Sequence, residues 1–207
     1  MNGAGLVAVL DAALANLATS RDELRDLDAA LGDGDLGITV AKGCAAVRRE
    51  LAALTDPTPA MVLRTAGAAF ANANPSTMAA LAGGALLAAA RTLGTVAELG
   101  PEQAIQLARA ARDSVAARGK AEVGDKTILD AIAASVQVLE TTRDADPFEP
   151  MVAAARAAVE ATTPLQSRRG RAAWVGERSA GHPDPGATAY LRLLEALRAA
   201  WPAPAPG

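Results

Sequence analysis

The chain has 207 residues, a formal net charge of −3 at pH 7, 51% apolar residues and only 2% aromatics. One domain is the natural content of that length, with a core built from Ala, Leu, Val and Ile, and the slight acidity leaves no global attraction for nucleic acid. The single Cys44 excludes an intrachain disulfide, the N-terminus lacks the basic start of a signal peptide, and no stretch approaches the roughly 20 apolar residues of a membrane span, so a cytoplasmic protein with no membrane partner is expected.

Apolar spacing at three and four residues predicts helices from end to end. The first covers about Leu6 to Ala18. Ser20-Arg-Asp-Glu23 reads as a capping box opening a second helix, which ends near Leu31 before the glycine-rich stretch 32–37. A third spans about Ile38 to Leu54 and stops at Asp56-Pro57. Pro59 opens a fourth, to about Ala73, since proline suits a helix's first turn. The fifth starts beside Pro75-Ser76-Thr77 and runs to about Leu93; the sixth opens at Gly100-Pro101 and stops at Gly119. Asp125 to Leu139 and Pro147 to about Thr162 form the seventh and eighth. A long polar connection over 164–186 precedes a last helix, Ala187 to Ala200. Connections of that length inside a compact domain are more often functional than not. The expected architecture is all-α: one antiparallel helix bundle over residues 1–201, with a disordered tail over 202–207.

Four segments do not look like scaffold. In Asp28-Ala-Ala-Leu-Gly-Asp33-Gly-Asp35-Leu-Gly37, three carboxylates fall at a helix end and in a glycine loop. An anion at a helix C-terminus faces the negative end of the dipole, and clustered carboxylates repel one another unless a cation neutralises them. Hard oxygen ligands of this kind suit Mg²⁺ together with substrate phosphates. The stretch 32–37 also matches G-x-G-x-x-G, but a capped helix precedes it where that fingerprint needs a strand. Counted as an EF-hand from Asp33, position twelve is Cys44 rather than Glu, and the pattern fails. A solvated acidic turn is the plain alternative.

The second segment, Asn72-Ala-Asn74-Pro75-Ser76-Thr77, puts hydroxyls and free amides at a helix start, either as an anion site or as an ordinary cap. The third, Gly124-Asp125-Lys126-Thr127-Ile128-Leu129-Asp130, offers a lysine and a threonine to a phosphate, while Asp125 is equally an N-cap. The fourth runs from Gly170-Arg171 through Trp174 to Gly181-His182-Pro183-Asp184-Pro185-Gly186. Its arginines can reach phosphate or stack on a base; His182 reads as a loop hydrogen-bonder, and Asp184-Pro185 can cap the final helix.

In order and spacing, these segments resemble the L (nucleotide-binding) subunit or domain of dihydroxyacetone kinases, over essentially the whole chain. The resemblance implies a barrel of eight antiparallel helices, reached if one of the predicted helix breaks is absent. It implies that Asp28, Asp33 and Asp35 hold two Mg²⁺ ions bridging the phosphates of ADP or ATP. It places Leu36, Gly37, Ile38 and Thr39 at those phosphates, with Ser76 and Thr77 where the family has its glycine-rich, serine-containing loop. Gly119, Ile128, Arg171, Asp184, Pro185 and Gly186 complete the implied nucleotide contacts. The implied activity is phosphoryl transfer to a short ketose held covalently by a separate K-type subunit, from ATP or from a phosphocarrier protein acting on bound ADP. A non-catalytic adaptor that keeps the fold is the alternative. Two positions depart from the family pattern: Leu36 stands where His is usual and Thr39 where Asn is usual. Asn74-Pro-Ser-Thr77 also replaces a Gly-Gly-x-Ser-Gly loop.

Overall fold

A computed structural model of the protein describes residues 1–142 and 146–202. The expected tail lies outside the described residues except for Pro202. Among the described residues there are nine α-helices: α1 (Gly3–Leu17), α2 (Arg21–Leu31), α3 (Leu36–Ala52), α4 (Pro59–Ala73), α5 (Thr77–Leu93), α6 (Pro101–Gly119), α7 (Ile128–Thr141), α8 (Phe148–Thr162) and α9 (Pro185–Ala200). No strand occurs among them, only an isolated bridge between Asn2 and Glu98.

Local chemistry accounts for most helix starts. Asn2, Thr58, Ser76 and Asp184 each accept a backbone N–H of the first turn they open, and Pro59, Pro101 and Pro185 occupy first-turn positions where no N–H is needed. The Ser20 capping box does not form. A 3₁₀ turn over Ala18–Ser20 carries α1 into α2, with Arg21 N–H donating to Ala18 O, and the Ser20 side chain caps nothing. The two expected helices therefore join into one run, Gly3–Leu31, which is long and apolar enough by length and composition alone to cross a membrane, contrary to expectation. In the fold its Leu6, Val9, Ala13, Leu14 and Leu17 are buried.

Helix contacts close a ring. Each of α3 to α9 packs on the next, α9 packs on α1, and α1 and α2 both pack on α3. Short connections make neighbours antiparallel. Counting α1–α2 as one, this is the eight-helix barrel that the resemblance implied. The main core lies between α1–α5 and α9, where Leu24, Val47, Leu51, Val62 and Leu93 are almost wholly buried. Each contributes about 1.5–3 kcal/mol by leaving water. Two smaller clusters fill the remainder between α5–α7 and α7–α9.

The ring topology sorts the connections by end. At one end, Met1 and Leu99 exchange backbone hydrogen bonds of 2.8 and 2.7 Å, and the Phe148 and Trp201 rings meet with centroids 4.9 Å apart. The other end receives the α2–α3, α4–α5, α6–α7 and α8–α9 connections. These hold all four segments singled out in the sequence. The N-termini of α3, α5, α7 and α9 point there as well.

Candidate functional site

The acidic loop is built by α2 and α3. Asp28 lies in the last turn of α2, Gly34 turns the chain at φ +72°, where a side chain is disfavoured, and Asp35 precedes α3 without capping it. Asp28 does that work from the neighbouring helix: its Oδ2 accepts the Leu36 N–H at 3.1 Å. One carboxylate oxygen from each of Asp28, Asp33 and Asp35 lies within 4.8 Å of the others. Burial pushes the Asp28 carboxyl above its usual range, and repulsion from Asp33 and Asp35 adds to this, opposed by the Leu36 N–H and by Arg171. Three converging anions favour a cation in their midst. Arg171 Nη1 supplies one from the rim: it forms an ion pair with Asp33 and lies 3.5 Å from Asp35 Oδ2, without hydrogen-bond alignment to either. The donor set, hard carboxylate oxygens only, fits Mg²⁺.

A cavity of about 200 Å³ opens beside the triad. Asp28, Asp35 and Leu36 form one wall, Ser76 and Thr77 a second, Thr127 and Ile128 a third, and Asp184, Pro185 and Gly186 a fourth. Apart from Asp28, these are the N-terminal turns of α3, α5, α7 and α9 or the residues just before them. Four helix starts around one cavity put the positive ends of four dipoles there, which suits a phosphate chain. Gly119 lines it from the end of α6, and Arg169 and Arg171 from the last connection.

The residues after the triad separate. Leu36 lines the cavity, whereas Gly37, Ile38 and Thr39 are not among its lining residues. Gly37 is pressed into α2: a Cβ there would overlap the Arg21 carbonyl oxygen and stand 2.9 Å from Arg25 N. Ile38 is exposed. Thr39 is buried, and its Oγ1 accepts the Asn74 Nδ2–H at 2.8 Å. Two of the departures from the family pattern, Thr39 and the loop that begins at Asn74, thus contact each other and fix the α4–α5 connection to α3.

The third segment is a structural knot. Thr127, not Asp125, caps α7, accepting from Leu129 N at 3.2 Å, and Asp130 accepts from Gly124 N at 2.6 Å and Thr127 N at 2.7 Å. Lys126 is wholly buried at φ +61°, and its Nζ donates to Thr163 O, Leu165 O and Ser179 O. With all three donors engaged it has none for a phosphate. Asp184 is buried, caps α9 by accepting Ala187 N–H at 2.7 Å, and has its carboxyl pushed up to about 6, chiefly by burial. The long polar connection contains 3₁₀ turns over Arg171–Ser179, kinked at Gly176 (φ +58°), and presents Trp174 to solvent at 86% exposure; His182 is exposed.

Sequence reasoning missed the apolar wall of the cavity, which includes Met78, Leu81 and Val115, and also Arg169. Leu81 lies one turn after Thr77 and Val115 one turn before Gly119, so helical spacing from the named residues would have found both.

The DAK2 domain model matches residues 30–199. The chain belongs to the DAK2 domain family. It is 32% identical over 184 residues to the "PEP-dependent dihydroxyacetone kinase, ADP-binding subunit DhaL" of Escherichia coli, an alignment covering 86% of this chain and 88% of that one. It is 38% identical over 196 residues to the "D-erythrulose kinase" of Mycolicibacterium smegmatis, covering 90% of this chain and 33% of that one. The fold matches the dihydroxyacetone kinase of C. freundii, solved with AMP-PNP and Mg²⁺, at a TM-score of 0.77 and 24% identity, over 96% of this chain and 34% of that chain. The DAK2 chain thus spans about a third of the erythrulose kinase and of the C. freundii enzyme.

Proposed function

We propose that this DAK2 chain is the nucleotide-binding part of a short-ketose kinase. The observation that carries the proposal is the convergence of Asp28, Asp33 and Asp35, their oxygens within 4.8 Å of one another, beside a cavity rimmed by four helix N-termini. The triad would hold two Mg²⁺, whose chemistry is to offset charge on the phosphoryl group and hold it for in-line transfer. Ser76, Thr77 and the amides opening α5 and α9 would receive phosphate oxygens of ADP or ATP. The apolar side with Leu81, Val115 and Ile128 would take the base and sugar. Arg171, already against Asp33 and Asp35, would turn to the nucleotide once a metal neutralises the triad.

The phosphoryl acceptor would be a dihydroxyacetone or tetrulose held by a K-type partner, since the relatives include both a dihydroxyacetone kinase subunit and a D-erythrulose kinase. A phosphocarrier acting on bound ADP is the donor that the E. coli relative's name supports. In a calorimetric titration, ADP should bind only with Mg²⁺, and D33A should abolish that binding without unfolding the chain. Mg²⁺-independent binding, or D33A binding as well as the wild type, would sink the metal assignment. Paired with a K-type subunit, the wild-type chain should support ketose phosphorylation and D33A should not.

A further inference from the structure

Lys126 contacts neither the triad nor the cavity, yet it sits at the root of the connection that carries Arg171. We propose that Lys126 is a positioning residue, setting nucleotide affinity by fixing the loop that brings Arg171 to the rim of the site, from which it can turn to the nucleotide; this rests on the functional reading above.

The geometry is that of a drawstring. Lys126 Nζ donates to Thr163 O at 2.8 Å and Leu165 O at 2.7 Å, where the α8–α9 connection begins, and to Ser179 O at 2.6 Å, where its 3₁₀ segment ends. One ammonium thereby ties together the two ends of the loop that contains Arg171. The neck is reinforced around the same point. Ser179 Oγ accepts Ser167 N–H at 2.9 Å and donates to Gly176 O at 2.6 Å, and Gly181 N–H donates to Thr163 O at 2.9 Å. Next to the lysine, Asp125 O accepts Arg168 N–H at 3.0 Å and Asp125 Oδ2 accepts Arg169 Nε–H at 3.3 Å. From this closed neck the loop reaches out to set Arg171 against Asp33 and Asp35.

Only a lysine offers three donors from one atom, and charge strengthens each bond. Burying an ammonium is costly, and none of its hydrogen bonds here goes to a carboxylate; the buried Asp184 carboxylate offsets part of that cost through space alone. Holding these three carbonyls is the task that its surroundings define. Without it the loop ends separate and Arg171 loses its fixed approach to the metal–phosphate site.

The test is a double-mutant cycle of K126M and R171A, read as the Kd for Mg²⁺–ADP at a temperature where each variant keeps its helical circular dichroism. K126M should weaken binding about 10-fold, on the order of one lost charge-assisted contact. In the R171A background K126M should add nothing, because it acts through Arg171. A lysine that acted on the site by another route, such as the charge of Asp184, would give additive losses. In the ligand-free protein, K126M should also speed tryptic cleavage after Arg168, Arg169, Arg171 and Arg178 about 10-fold, the loop being held shut by hydrogen bonds that the variant lacks. Additive losses, or native affinity with native protection, would overturn the proposal. If K126M does not fold, S179A replaces it in the same cycle. That variant cuts the neck at Ser167 N and Gly176 O, and its expected loss of about threefold should again vanish without Arg171. If the wild-type chain binds no Mg²⁺–ADP, the functional reading fails on its own. The proteolysis then decides whether Lys126 holds the loop.

Discussion

Gly37 separates a packing role from a ligand-contact role. The resemblance places it at the nucleotide phosphates, whereas the structure seats it against α2. Replacing it with alanine puts a methyl group into the Arg21 carbonyl oxygen and 2.9 Å from Arg25 N. Both are helical backbone atoms, which cannot swing aside as a side-chain end would. The α2 and α3 helices must part by roughly 1 Å, at the upper end of the ~1–3 kcal/mol range for overpacked cores. For a chain of this size each kcal/mol is worth about 2–4 °C in Tm, so G37A should melt about 6–12 °C lower. The same displacement carries Asp28 away from the Leu36 N–H, a bond of 3.1 Å, and spreads the triad. Mg²⁺-dependent ADP binding should therefore weaken even well below the melting transition. Thermal melts followed by far-UV circular dichroism, paired with calorimetric titration, read both effects. I38A is the control: Ile38 is exposed beside the same loop, and its replacement should leave both readouts nearly unchanged. A G37A protein with native Tm and native Mg²⁺–ADP affinity would refute the packing argument.

Three further outcomes are expected. The Asp184 carboxyl is raised from 3.8 to about 6, so the folded chain binds its proton more tightly than the unfolded chain does. The contribution of this one group to stability should then fall as pH rises through this window, by about 3 kcal/mol at 1.36 kcal/mol per unit, set against the rising contributions of Asp11, Glu23 and Asp125, whose carboxyls are held below their usual range. D184N, still able to accept the Ala187 N–H, should lack that component; identical pH slopes in urea denaturation of the two proteins would contradict it. T39A strips the half-buried Asn74 amide of its acceptor and should cost about 1–2 kcal/mol in chemical denaturation while weakening nucleotide binding through the α4–α5 connection. No loss in either measurement would show that the contact between the two departures is idle. S76A removes the N-cap of α5, whose Oγ accepts Ala79 N–H at 3.1 Å, and should cost about 1 kcal/mol; a stability unchanged within 0.3 kcal/mol, an order-of-magnitude limit, would assign Ser76 to the ligand alone.

Much of the helical framework was legible in the sequence because its causes are local. A cap such as Ser76 or Asp184 acts within one turn, a proline at 59 or 101 needs no partner, and apolar spacing along α3 or α7 marks a buried face whatever it packs against. The acidic triad was legible for a related reason: three aspartates within eight residues, broken by glycines, need only a local turn to converge. Ser20 shows where local reading ends. Its capping chemistry is sound, but a 3₁₀ turn over Ala18–Ser20 carries the chain straight on, so the break vanishes and two helices become one stave of the barrel.

The tertiary structure decided the rest, because it depended on which distant atoms arrive at a given point. From sequence Lys126 could equally contact a phosphate or serve the scaffold; in the fold three carbonyls from 37 to 53 residues away take all its donors. Asp125 reads as the cap of α7, yet Thr127 holds that place while Asp125 binds Arg169. The resemblance names Gly37 only as a neighbour of the phosphates, and the closeness of α2 makes it a packing requirement as well. Sequence by itself determined that the protein is helical and that it carries an acidic, cation-seeking loop. Ring closure determined that four helix N-termini, Arg171 and that loop face one cavity, because an antiparallel barrel must send alternate connections to the same end.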